Sequence, residues 1–251
     1  MKLAIFLSFV TALSSPLAFS QTTDPPKPTP DQIEAVKQHN EKANQMNAII
    51  TRYNAAVDKK DWSAAAEDVK QLITLDPKPD YYVTLGNAQL YSGKCDDAIG
   101  TYKTLLKLVG YPADLKAANA KTRTLAGVAL TSIGNAFIKL KNYAEATRNY
   151  ENAAEIDPNP GLAYFNLCAT QYNIGNMDKA ISACGKSITA DPTRADAYFI
   201  KGSALFGNGR IDASGKYIPP PGTIEALKKY LELAPNGGHA ADVKAMLDYS
   251  K

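Results

Sequence analysis

Histidine and cysteine are scarce in this 251-residue chain. His39 and His239 stand far apart, and three cysteines include no C-x-x-C pair. Most zinc architectures are thereby excluded, because they draw ligands from clustered Cys and His. A charge excess is lacking too: Lys+Arg 28 against Asp+Glu 25 leaves +3. That is too balanced for a nucleic-acid binder working by phosphate neutralisation. Beyond the first twenty residues nothing approaches the ~20 uninterrupted apolar residues of a membrane span, so no stable membrane insertion is expected. Runs of β-branched residues are rare while Ala and Leu are plentiful, which favours helix. The 45% hydrophobic residues suffice for a full core in one or two domains.

The N-terminus reads as a processing segment. Lys2 supplies a positive start, Leu3 to Leu13 is apolar except for Ser8 and Thr11, and Ala18-Phe19-Ser20 places small residues before a cut. A signal peptide over 1–20 is expected, cleaved near Ser20-Gln21, with an extracytoplasmic (periplasmic or secreted) mature protein of net charge +2. No cysteine sits at the cut, which argues against a lipid anchor. Residues 21–30 carry Pro25, Pro26, Pro28 and Pro30 and predict an extended leader. Asp31 is the expected N-cap of an N-terminal helix over 31–45. Apolar residues at helical spacing continue through Met46, Ile49, Ile50 and Tyr53, in one helix or two.

The main feature is a repeat. Gly134, Cys168 and Gly202 are 34 residues apart, as are Ile133, Leu167 and Lys201. Ala146 with Ala180, Tyr164 with Tyr198 and Pro158 with Pro192 keep the same interval. An earlier unit reads Tyr82, Leu85, Gly86, Ala98, Tyr102, and a degenerate one reads Tyr53, Ala65, Val69, Pro77. Each period predicts a helix hairpin in which small residues on the two helices face each other and let the axes approach. Asp-Pro at 76–77, 157–158 and 191–192 ends each unit, because proline cannot continue a helix.

From about Met46 to Pro235 the chain resembles the tetratricopeptide repeat family, and the stretch from Ala163 to Pro192 follows its pattern closely. The resemblance implies an all-α, right-handed superhelical solenoid of antiparallel hairpins, about five repeats over 46–235. Extra residues near 111–125 should lengthen the following first helix. Those near 210–222 suggest a small hairpin over Ile211–Ile218, followed by Thr223 capping the helix Ile224 to Leu233. Residues 236–251 predict a terminal capping helix on Ala240, Val243, Met246 and Leu247.

No catalytic constellation is present, so no enzyme, catalytic residue, metal or cofactor is expected. Gly185-Lys186-Ser187 resembles the end of a phosphate loop, but Ala180 stands where its first glycine belongs and the segment falls within a repeat helix. Asp76, Asp157 and Asp191 read as helix punctuation. The resemblance implies a scaffold or adaptor that binds a protein or peptide on the concave face formed by the first helices. The family's groove positions correspond to Val83, Asn87, Leu90 and Tyr91, then Thr131, Asn135, Ile138 and Lys139. Phe165, Asn166, Tyr172, Asn173, Phe199, Ser203 and Phe206 complete them. Rings and amides with a single lysine suit an extended, largely uncharged peptide. The competing reading is that these rings pack against neighbouring hairpins, or that the N-terminal helix lies in the groove. Some family members clamp acidic chaperone tails with cations, but those positions hold Thr131, Asp196 and Ile200, so no such binding is expected. The alternative function is a structural subunit of a cell-envelope or secretion assembly, acting by homo-oligomerisation or its outer face. Cys168 and Cys184 are expected as buried thiols, because a one-turn offset places their Cα atoms at or beyond the ~7 Å that a bridge allows. Cys95 has no evident mate.

Overall fold

Helices and turns follow the repeat register across the residues described in the computed structural model, which are 2–4, 28–111 and 117–251. Most of the expected signal peptide, its cleavage point and the proline-rich stretch through Lys27 lie outside them, as do residues 112–116. The chain divides into two units, 1–93 and 94–251.

Unit 1 contains α1 (Pro30–Asp58), α2 (Trp62–Leu75) and α3 (Pro79–Tyr91). The N-cap of α1 is Thr29, not Asp31: its hydroxyl accepts the Gln32 N–H, while the Gln32 side chain accepts the Thr29 N–H. This reciprocal box leaves Pro30 at the first helical position, where a missing N–H is harmless. One helix of 29 residues results, with an exposed first half that includes Ile33 and Val36. Its buried stripe is Met46, Ile49, Ile50, Tyr53 and Ala56. Ala65, Val69 and Leu72 of α2 and Tyr81, Leu85 and Ala88 of α3 complete this core. Burial pushes the Tyr53 phenol up to about 12.

Unit 2 runs through α4 (Cys95–Leu108), α5 (Ala120–Lys139), α6 (Tyr143–Ile156), α7 (Gly161–Asn173), α8 (Met177–Ala190) and α9 (Ala195–Gly207). Two short strands follow, β1 (Arg210–Ile211) and β2 (Tyr217–Ile218), then α10 (Thr223–Leu233) and α11 (Ala240–Tyr249). With 20 residues, α5 is longer than its neighbours, and Asn119 caps it. Asp76, Asp157 and Asp191 are the C-cap residues of α2, α6 and α8, each immediately before its proline.

The repeated small residue makes room for more than the expected alanine. A Cβ on Gly134 would overlap the Tyr150 ring, and one on Gly202 would overlap Leu227. Both neighbours are almost fully buried. Glycine here lets a large side chain of the second helix lie against the backbone of the first.

At the C-terminal end, Arg210 pairs with Ile218 and Ile211 with Tyr217 in an antiparallel ribbon, as the insertion suggested. Thr223 is not a cap, however. Gly222, with φ +85°, occupies that position, and Thr223 is fully buried with its hydroxyl donating to the Pro220 carbonyl. Ala240 and Val243 of α11 pack with Leu227 and Tyr230, and Met246 and Leu247 lie alongside.

The expectation of two buried thiols is corrected. Cys168 and Cys184 form a disulfide, with Cα atoms 5.0 Å apart. Only small residues separate α7 from α8 here: Cys168, Ala180 and Cys184 are all fully buried. The backbones therefore approach closely enough to absorb the one-turn offset, within the ~4.4–6.8 Å range of bridged cysteines. Cys95 is a buried free thiol.

Candidate functional site

In unit 2 the first helices of successive hairpins, α5 and α7, bring Asn135 and Asn166 together. The Asn135 Oδ1 accepts from Tyr150 Oη at 2.8 Å and from Asn166 Nδ2 at 3.3 Å. Tyr150 is fully buried apart from this link, and desolvation raises its phenol far above the ordinary range. It therefore stays a neutral donor and fixes Asn135 by its oxygen. Asn135 as a whole is exposed, and an amide whose oxygen is engaged still has two N–H donors to offer.

Half-buried apolar side chains cover the core that contains Tyr150. Ile138, Phe165, Tyr172 and Phe199 all lie against the core built on Leu167, Cys168 and Ala183. Each of the four is half-buried. Lys139 and Asn173 are exposed. The Arg194 guanidinium lies over the Phe165 ring, 5.3 Å from its centroid, and bonds the Asp191 carboxylate at 2.8 Å. The Thr193 hydroxyl, then its backbone N–H and the Arg194 charge, hold Asp191 below the usual carboxylate range. The groove pattern does not point to Arg194, because it precedes the first helical residue of α9.

Several expected groove residues are otherwise employed. Thr131 and Ser203 are buried at 7% exposure each, and Leu90 of unit 1 likewise at 7%. They lie on the packed side of their helices. Phe199 stacks on His239, with centroids 3.8 Å apart and planes 4° apart. Phe206 meets Tyr217 at 4.7 Å and Tyr249 at 6.1 Å. The 210–218 ribbon and the C-terminal segment thus engage these two rings. Ser187 is fully buried inside α8, its hydroxyl donating to the Gly161 carbonyl, so the Gly-Lys-Ser sequence forms no phosphate cradle.

In unit 1, Val83 and Asn87 are half-buried on α3. Tyr91 is 61% exposed, and its ring lies 4.7 Å from that of Trp62. Asn54 on α1 is a further polar position of this kind. It follows Tyr53 as Asn87 follows Gly86 and Asn135 follows Gly134. Tyrosine in place of the small residue disguises the register there. Asn54 holds the backbone of Leu3 from both sides: the Leu3 N–H donates to Oδ1 at 2.9 Å, and Nδ2 donates to the Leu3 carbonyl at 3.0 Å. Among the described residues no group of three or more His, Cys, Asp or Glu is placed to hold a metal, and no helix is long and apolar enough to cross a membrane.

Comparison with known proteins agrees with this architecture. Residues 128–160 match the tetratricopeptide repeat family. A small glutamine-rich tetratricopeptide repeat-containing protein 2 of Mycosarcoma maydis is 33% identical over 106 residues, 41% of this chain and 30% of that one. A Hsp70-Hsp90 organising protein of Plasmodium falciparum is 39% identical over 51 residues, 20% of this chain and 9% of that one. The chain thus spans less than a third of the length of these curated relatives. Among solved structures, PilW, described as a widely conserved type IV pilus biogenesis factor, superposes with a TM-score of 0.59 at 15% identity, covering 85% of this chain and 88% of its own. MamA gives 0.55 at 23% identity, over 73% and 94%. YrrB, described as a TPR protein with an unusual peptide-binding site, gives 0.52 at 18% identity, over 85% and 97%. The fold is the tandem helix-hairpin solenoid of tetratricopeptide proteins.

Proposed function

We propose that this chain is a non-enzymatic interaction scaffold of the extracytoplasmic space, holding an extended and largely uncharged peptide segment on the unit-2 face. The carrying observation is the Asn135–Asn166 pair, bonded to Tyr150 of the same core against which Phe165 and Tyr172 pack. An amide fixed through its oxygen offers directed donors to a peptide backbone, while ring faces cover its side chains. The peptide-binding site ascribed to YrrB supports this reading. The extracytoplasmic setting is supported by the leader pattern and by the Cys168–Cys184 bridge, since disulfides persist in oxidising compartments.

Asn166→Ala and Tyr172→Ala in the chain beginning at Gln21 provide the test. The partner is first captured from envelope extract with the unmutated chain, and binding and melting are then measured together. Where a groove ring anchors the partner, truncation should cost roughly 2 kcal/mol of binding, with melting little changed. A large melting drop with binding intact would assign these residues to the core. The alternative, a structural subunit of an envelope assembly, is favoured by the exposed Ile33 and Val36 of α1 and by the likeness to PilW. Self-association on sizing, unaffected by Asn166→Ala and Tyr172→Ala, would select it.

A further inference from the structure

An open cavity of about 650 Å³ in unit 2 is lined by residues of α7, α8 and α9. It shares no residue with the peptide-binding face. Its walls combine Tyr164 and Ile188 with Ser182, Gly185 and two lysines, Lys186 and Lys201. Among the described residues no carboxylate lines it, and neither lysine is ion-paired. Asp191, which caps α8 nearby, is held by the Thr193 hydroxyl and the Arg194 guanidinium. The Lys186 ammonium rests over the Tyr164 ring, 5.4 Å from its centroid. That contact positions the charge without neutralising it.

Two of these residues run against the stability of the hairpins. Lys201 takes the register position of Ile133 and Leu167, which are buried at 2% and 9% exposure. Lysine there is only half-buried and forgoes the burial that its two predecessors gain. Gly185 stands in the middle of α8, where a Cβ would meet nothing within 4 Å. Glycine weakens a helix interior, and no neighbouring side chain requires the space. Both residues line the same cavity.

We infer that this cavity binds a small organic dianion, two carboxylates on an apolar body, with Lys186 and Lys201 each taking one carboxylate. Two uncompensated cations on different helices call for two separated negative charges. The residues of α8 that line the cavity, from Ser182 to Ala190, belong to the helix interior and its last turn. Their N–H groups are spent within the helix, so the amide donors that usually surround a phosphate are lacking. Tyr164 and Ile188 cover the apolar body, and Gly185 lets it approach the helix backbone. The volume falls in the range of small-ligand sites, about 300–1,000 Å³.

The test titrates isophthalate and benzoate into the full chain by calorimetry. Isophthalate should bind about tenfold more tightly than benzoate, because its second carboxylate gains a charged hydrogen bond, and added salt should weaken it. Lys201→Leu restores the residue of the preceding repeat. It should bring isophthalate down to the affinity of benzoate while the melting temperature holds or rises. Lys186→Gln, at an exposed position, should act in the same way. Gly185→Leu keeps both charges but fills the cavity, and should abolish binding of both compounds with helicity retained by circular dichroism. No binding at millimolar isophthalate, equal affinity for the two compounds, or indifference to Lys201→Leu or Gly185→Leu would overturn the inference.

Discussion

Gly134 owes its place to the ring beside it. Alanine there would drive a methyl group into Tyr150, and overpacking of this kind costs about 1–3 kcal/mol. Gly185, in the middle of α8, has open space around its Cα. Alanine at that position should instead stabilise by about 0.5–1 kcal/mol, through chain entropy alone. Urea denaturation of the two variants should move in opposite directions, and loss of stability in both would refute the assignment. Asp157 gives a pH-dependent counterpart. Burial raises its carboxyl above the usual range, opposed by the Asn159 N–H and by Arg123. A raised acid contributes stability when protonated and loses it as pH rises through its folded value. Asp157→Asn should therefore raise the melting temperature at neutral pH and leave it unchanged near pH 3. A gain of the same size at both pH values would show that charge is not the cause.

At the scale of the element, the hairpin turns share one left-handed residue. Gly93 and Gly175 adopt φ of +80° and +83°, whereas Lys60 and Lys141 adopt +57° and +58° at the equivalent position. A side chain there is strained. Relief outweighs the added freedom of the unfolded chain, so Lys141→Gly should stabilise by about 0.5 kcal/mol. A lower denaturation midpoint would refute this. The α7–α8 hairpin carries the disulfide, whose cysteines are 16 residues apart. Closing a loop of that length stabilises by about 3 kcal/mol on chain-entropy grounds. Thiol titration in denaturant should find one free thiol before reduction and three after. Reduction should lower the melting temperature cooperatively, and three thiols at the outset would exclude the bridge.

At the scale of the whole molecule, the near balance of charge and the character of the unit-2 face point the same way. Thr131 and Ile200 are buried and Asp196 is exposed. None of them provides a cation for an acidic tail, which the clamps of some related domains require. An acidic C-terminal peptide should show no micromolar binding in calorimetry, and saturable binding lost on removal of its carboxylates would contradict this. A partner held by Phe165, Asn166 and Tyr172 should bind with little dependence on salt, since screening acts on charges and not on rings or amides.

The sequence by itself determined the helix hairpins, because a 34-residue interval of small residues, aromatics and Asp-Pro stops is a local signal repeated in register. It also determined the ribbon at Ile211–Ile218 and the stripe of α11, each of which follows from periodicity within ten residues or so. The candidate site was legible as far as Asn135 and Asn166, which the resemblance to the repeat family places among its groove positions. Tertiary structure decided what the individual side chains touch. Phe199 stacks on His239, 40 residues away, and Leu3 rests on Asn54, 51 residues away. No helical period encodes such contacts. The distance between Cys168 and Cys184 was decided in the same way. Spacing gives the offset along a helix, whereas the separation of two axes is set by the volumes packed between them.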